Sequence, residues 1–258
     1  MTKYTLITGA SSGIGKSLAF VHAKNKRNLI LVSRNTQELQ SLAIQLQEQY
    51  QIDARFKSID LNTDANCLSL FDYLKSENLY VNEFINNAGI GCYGNFSDIP
   101  LESDLKMVNL NITALVCLSK FYLNYSQAFE NAKLIQIASI ASFFPGPRMA
   151  VYYASKAFVL SFSKALKAEL STSNCKISVV CPGPTITNFQ KTANMHISPM
   201  SIKLGIVQTA EEVAEHIFKK VQKDQFLIVP GFFNKLTQVI SQIIPDYITN
   251  KMVIRSHS

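Results

Sequence analysis

The chain has no tryptophan, and only 17% of its 258 residues are charged. No apolar run comes near the ~20 residues that a membrane-spanning helix needs. The N-terminus, MTKYTLITGASSG, offers only a short apolar run before its glycines, too little for the hydrophobic region of a signal peptide, so the chain is expected to stay in the cytosol. The five cysteines, at 67, 92, 117, 175 and 181, are an odd set with no CxxC pair and no His/Cys cluster. That argues against a disulfide framework and against a metal site, and they read as small buried hydrophobes. The net charge of +7 is scattered, without a basic block interleaved with aromatics, so nucleic-acid binding is not expected. No low-complexity tract and no internal repeat is found, and the length suits one large α/β domain over residues 1–258.

What the chain does have is alternation. The β-rich runs YTLIT (4–8), LILVS (29–33), ARFKSID (54–60), EFINN (83–87), KLIQIAS (133–139), KISVVC (176–181) and FLIVP (226–230) are apolar on both faces, as parallel strands covered on each side must be. Helical stretches lie between them: 14–25, 36–49, 64–77, a long one over 101–130, and 152–171. Another is predicted to start at Thr209, where Thr-Ala-Glu-Glu supplies a capping box. The pattern implies an α/β fold with a doubly wound parallel sheet. Residues 182–208, with Pro182, Pro184 and Pro199, read as a substrate loop or lid near 184–208. The tail over 231–258 places Phe232, Leu236, Val239, Ile240, Ile243 and Ile244 on one helical face opposite Asn234, Lys235, Gln238, Ser241 and Gln242. That face is expected to be buried against its own or a partner subunit; capping the pocket or touching a membrane are the other possibilities.

Directly after the first strand comes TGASSGIG, opening the first helix. A tight glycine turn at a helix N-terminus presents free N–H groups and the positive end of the helix dipole to a phosphate pair. Gly9 allows the turn, Gly13 lets the backbone approach a pyrophosphate, and Gly15 permits close helix–strand packing. At the end of the second strand, where NAD-preferring folds place an acid, the chain reads Val32-Ser33-Arg34-Asn35. A hydroxyl and a guanidinium there can hold a 2′-phosphate through charge-assisted hydrogen bonds, which points to NADP(H). The alternative for Arg34 is a solvated surface residue.

With TGASSGIG, then Asn86-Asn87-Ala88-Gly89, Ser139, YYASK (152–156) and Pro182-Gly183 in that order, the sequence resembles the short-chain dehydrogenase/reductases over nearly its whole length. The resemblance implies a seven-stranded Rossmann sheet of order 3-2-1-4-5-6-7, a pyridine nucleotide, and a homodimer or homotetramer. It makes Gly9, Ser11, Ser12, Gly13, Ile14 and Gly15 the pyrophosphate loop, puts Asp60 and Leu61 beside the adenine, and sets Asn87, Ala88 and Gly89 along the ribose. Pro182, Gly183, Thr185 and Thr187 would meet the nicotinamide end. Where some NADP-preferring members carry a basic residue, this chain has Ser12, so the NADP(H) reading rests on Arg34 with Ser33.

The same resemblance implies a catalytic set of Asn109, Ser139, Tyr152 and Lys156. Tyr152 and Lys156 are four apart and share one helix face, whereas Tyr153 is turned about 100° away. A nearby ammonium is expected to lower the Tyr152 pKa from about 10, fitting it as a general acid/base, with Lys156 also holding the nicotinamide ribose. VNLNIT offers two asparagines, and Asn109, directly after Val108, fits the family pattern better than Asn111. Ser139 has a neighbour, Ser142, as rival. The segments expected around the substrate, 90–96, 140–148 and the loop with Ile186, Phe189 and Met195, are largely apolar and suit a lipophilic ketone or acyl chain. The function expected is therefore NADP(H)-dependent carbonyl reduction or alcohol oxidation. A non-catalytic NADP(H)-binding regulator is the alternative, and an extended-type epimerase or dehydratase would need a longer C-terminal domain.

Overall fold

The computed structural model describes residues 2–193 and 207–241. β1 (Lys3–Thr8), β2 (Asn28–Ser33), β3 (Ala54–Ser58), β4 (Tyr80–Asn86), β5 (Ala132–Ile137) and β6 (Cys175–Val180) alternate with α1 (Gly13–Lys24), α2 (Thr36–Tyr50), α3 (Asp64–Ser76), the interrupted helix formed by α4 (Leu101–Val108) and α5 (Leu115–Tyr125), and α6 (Ala150–Glu169). With a last short strand, β9 (Leu227–Ile228), they form a seven-stranded parallel sheet in the order β3-β2-β1-β4-β5-β6-β9. This is the expected doubly wound Rossmann order. The seventh strand is ninth in sequence because β7 (Thr185–Ile186) and β8 (Gln208–Thr209) pair with each other at the substrate loop. Residues of the predicted lid between 194 and 206, including Met195 and Pro199, lie outside the described residues, as do Ile243 and Ile244 of the tail.

The strands are apolar on both faces because both are covered. Leu29 and Leu31 face the layer of α1 and α2 with Leu18, Leu39 and Leu46, while Ile30 and Val32 face the layer of α3 and α5 with Leu70, Phe71 and Leu118. Each such buried Leu or Ile contributes about 1.5–3 kcal/mol relative to exposure. One polar pair crosses this packing: His22 of α1 meets Glu83 of β4 at 2.6 Å, both buried. Burial alone would raise the Glu83 carboxyl, but the His22 hydrogen bond and charge hold it below its ordinary value. All five cysteines are free.

Two expectations about helices need correction. The predicted 101–130 helix is α4 (Leu101–Val108), a π-helical turn (Asn109–Ala114) and α5, which stops at Tyr125. The π turn inserts an extra residue into the helical ladder, and such insertions recur at functional positions. Helix α8 (Ala210–Val221) starts with both bonds of the predicted capping box, Glu212 N–H to Thr209 Oγ1 and Thr209 N–H to Glu212 Oε2, and buries Val213, Ala214, Ile217 and Val221. Helix α9 (Phe232–Ile240) is turned the other way. Phe232, Leu236, Val239 and Ile240 are exposed, and Asn234 is buried, so the expected burial of this apolar face against its own subunit is not found among the described residues. Asn234 donates to the Pro230 carbonyl at 2.7 Å and to Gln208 Oε1 at 3.3 Å, and those bonds fix the helix polar side in.

Candidate active site

At the carboxyl ends of the strands a cleft of about 660 Å³ runs from the α1 N-terminus to the start of α6. Its first part is made by backbone. Gly9 and Gly13 have φ of +65° and +53°, a left-handed conformation that a side chain disfavours. A Cβ at Gly15 would overlap the Gly9 carbonyl and come within 2.6 Å of Asn87 Nδ2. Ser12 makes no side-chain cap and the first turn of α1 carries no acid, so the N–H groups and dipole end beside Ser11, Ser12, Gly13 and Ile14 are left for an anion. Asn87 works behind this turn: its Nδ2 donates to the Thr8 carbonyl at 2.8 Å, and Thr8 Oγ1 accepts from the N–H groups of Asn87 and Ala88.

Ser33, Arg34, Asp60 and Leu61 line the far end. Ser33 Oγ is buried with no partner, and Arg34 has no ion pair among the described residues. An orphaned hydroxyl beside an unpaired guanidinium fits a phosphorylated ligand. Glu38, on the first turn of α2, lines the same end and was not anticipated from the sequence.

The other part is made by side chains. Ser139, capping the short turn Ile140–Phe143 after β5, accepts from Ala141 N–H at 3.1 Å and its hydroxyl hydrogen-bonds the Tyr152 phenol. Burial pushes Tyr152 up to about 12, the Ser139 bond pulling the other way. The expected lowering by Lys156 is thus corrected. The ammonium lies 5.9 Å from the Tyr152 ring centroid and donates to the Ile137 carbonyl at 3.0 Å. Burial holds Lys156 itself down at about 8. The rival Ser142 is turned away, donating to the Lys156 carbonyl at 2.7 Å.

Of the two asparagines, the geometry brings Asn111 rather than Asn109 to the cleft. Asn109 is exposed on the π turn, whereas Asn111 is buried and reaches the cleft wall. Asn111 Oδ1 accepts from Ile90 N–H at 3.0 Å, and its Nδ2 donates to the Ile90 carbonyl at 2.9 Å and to Ser155 Oγ at 3.1 Å. A Cβ at Gly89 would lie 3.2 Å from Asn111 Oδ1 and 3.3 Å from Lys156 Nζ, so amide and ammonium converge behind that glycine. The signal was present in the sequence. Met107, Ala114 and Leu118 recur at helical spacing, and Asn111 falls on their stripe while Asn109 is two positions off it.

A model described as short chain dehydrogenase matches residues 3–198. The chain belongs to that family. Among its relatives is the 17-beta-hydroxysteroid dehydrogenase type 3 of Homo sapiens, 28% identical over 82% of this chain and 66% of that protein. Another is a 7beta-hydroxysteroid dehydrogenase of Mediterraneibacter gnavus, 26% identical over 90% of this chain and 88% of its own. A short-chain dehydrogenase from Sphingobium yanoikuyae, solved in complex with NADPH, superposes with a TM-score of 0.82 at 27% identity, covering 95% of this chain and 97% of that one.

Within this short-chain dehydrogenase, Pro182, Gly183, Thr185 and Thr187 line the cleft, the Pro182 carbonyl accepting from Ile140 N–H at 2.9 Å beside Ser139. Thr187 stands against the glycine loop, 3.2 Å from where a Gly13 Cβ would be. Of the expected substrate-side residues, Ile90, Ile140 and Phe189 line the cleft, as do Met149 and Tyr153, but Phe96 and Ile186 are exposed elsewhere. Phe189, from α7 (Phe189–Thr192), lies over Tyr152 with ring centroids 5.4 Å apart. Tyr153 packs on Phe144 at 5.8 Å. No helix among the described residues is long and apolar enough to cross a membrane.

Proposed function

We propose that this chain is an NADP(H)-dependent carbonyl reductase and alcohol dehydrogenase acting on lipophilic ketones or 3-oxoacyl-type substrates, with Tyr152 as the general acid/base. The observation that carries the reading is the Ser139–Tyr152–Lys156 arrangement at the end of a cleft that begins at the glycine loop. The nicotinamide, when bound, supplies or accepts the hydride. Gly9, Ser11, Ser12, Gly13, Ile14 and Gly15 would hold its pyrophosphate, Ser33 and Arg34 the 2′-phosphate, and Asp60, Leu61, Ala88 and Gly89 the adenosine. Asn87 keeps the glycine turn in shape, and Pro182, Gly183, Thr185 and Thr187 stand at the nicotinamide end.

In the reductive direction Ser139 hydrogen-bonds the carbonyl oxygen. Tyr152, a neutral phenol at pH 7 with its pKa near 12, gives its proton to that oxygen as negative charge develops there. Lys156, still largely protonated at pH 7, offsets the phenolate left behind. Asn111 fixes the Ile90 backbone and lies with the ammonium behind Gly89, and we assign it the place that the resemblance gives to Asn109. Ile90, Ile140, Met149, Tyr153 and Phe189 make an apolar and aromatic wall around the reacting carbon, which favours a lipophilic substrate. The relatives named for hydroxysteroids fit that class. Catalysis as a cytoplasmic homo-oligomer is part of the same reading.

Arg34→Ala tests the coenzyme assignment, and Glu38 at the same end makes the test sharp. Loss of a charge-assisted pair is expected to lower the NADPH/NADH ratio of kcat/KM about tenfold or more; an unchanged ratio removes the 2′-phosphate role.

A further inference from the structure

Helix α9 carries a surface that the reductase reading does not use. At 100° per residue, Phe232, Phe233, Leu236, Val239 and Ile240 fall within an arc of about 120°, and they are 36–76% exposed. Asn234, on the opposite side, is 2% exposed. Its hydrogen bonds to Pro230 and Gln208 hold the helix, and its amide fills the space that a side chain at Gly183 would need. The apolar arc is therefore turned outward by specific bonds, and α9 packs on the Ile140–Phe143 turn beside the substrate end of the cleft.

The flank of this arc is basic. Lys219 and Lys220 at the end of α8 and Lys235 of α9 gather around His216, whose pKa is lowered first by burial and then by these three charges. Lys219 has Glu215 at 3.5 Å, whereas Lys220 and Lys235 have no ion pair among the described residues. An apolar strip with a cationic border is the composition of a helix that lies in the plane of a lipid surface. A second copy suits it less well. Nine residues span about 13.5 Å, a strip too short to supply by itself the ~1,600 Å² of a stable interface, and pairing two such faces would bring like charges together.

We propose that α9 docks this protein on an anionic lipid surface, with Phe232, Leu236 and Val239 in the acyl boundary and Lys220 and Lys235 at the headgroups. The substrate end of the cleft then faces the lipid, from which an apolar substrate can enter.

The test is cosedimentation of the full chain with vesicles of phosphatidylcholine alone and of phosphatidylcholine mixed with phosphatidylglycerol. Wild type is expected to bind the anionic vesicles about tenfold or more tightly than the neutral ones, with salt weakening the difference, since each lysine near such a surface is worth about fivefold. F232S/L236S/V239S, all at exposed positions, should lose most vesicle binding while keeping NADPH affinity and native mass. K220Q/K235Q should lose the preference for anionic lipid. Wild type that fails to bind vesicles overturns the proposal, as does a triple variant that binds vesicles like wild type. If the triple substitution changes only the oligomeric mass, the face belongs to a second copy. The assay reads binding without turnover, so its failure is distinguishable from failure of the reductase reading.

Discussion

The two ends of the cleft are built by different means. The pyrophosphate part of the nucleotide end is backbone: one contiguous segment, Thr8 to Gly15, makes a turn that only glycines at 9 and 13 fit comfortably, and opens a helix whose first turn has no acid. The reaction end is side chains brought from the π turn, the end of β5, α6 and α7, which are far apart in sequence. A local site depends on a few dihedral angles, whereas an assembled one depends on the rotation of every contributing helix. The first therefore depends little on helix phase, to which the second is sensitive.

If the two ends are separable in this way, the two asparagines should separate them most strongly. Asn111→Ala is expected to lower kcat about 10²-fold, in the range of losses for groups that serve a proton transfer, while NADPH affinity from fluorescence titration stays near wild type. Asn109→Ala, at an exposed position, should leave both constants almost unchanged. A drop in kcat for Asn109→Ala, or an equal loss of NADPH affinity in Asn111→Ala, would break the comparison.

A smaller effect comes from pH. In the proposed mechanism, reduction needs Tyr152 protonated and Lys156 charged in the free enzyme. Tyr152, near 12, stays protonated through neutral pH, so Lys156, held at about 8, sets the alkaline limb. For reduction, kcat/KM should be level below pH 7 and fall as pH rises through about 8, toward tenfold per unit. The NADPH dissociation constant should follow the same limb only as far as Lys156 also holds the ribose. A limb near 10.5, the ordinary lysine value, would show that burial does not control this residue.

Much of this is legible in the sequence. The parallel sheet and the glycine loop follow from apolar runs, their spacing and a contiguous motif; the strand order and the pairing of Tyr152 with Lys156 as a catalytic unit are what the family resemblance implies, helical spacing placing those two on one face. Three points lie beyond what the sequence pattern shows. Asn109 fits the family motif, whereas Asn111 falls on the buried helix phase carried by Met107, Ala114 and Leu118. The Tyr152 pKa was expected to fall because a charge four residues away is visible in sequence, whereas burial, which wins here, is not. The outward turn of the apolar side of α9 is hidden from the sequence for a related reason. Amphipathicity shows that a helix has an apolar side, but α8 turns that side in and α9 turns it out, and the difference lies in the bonds of Asn234 to Pro230 and Gln208.

The central claim is that Tyr152 gives the proton in a hydride transfer at this cleft, and Tyr152→Phe tests it most directly. Enzyme loaded with NADPH is mixed with a lipophilic ketone that wild type reduces, and NADPH absorbance and alcohol are measured together. The account predicts one alcohol per NADPH consumed for wild type. For Tyr152→Phe it predicts a rate lower by about 10³-fold or more, with NADPH still bound. Turnover by Tyr152→Phe at a rate close to wild type would contradict it.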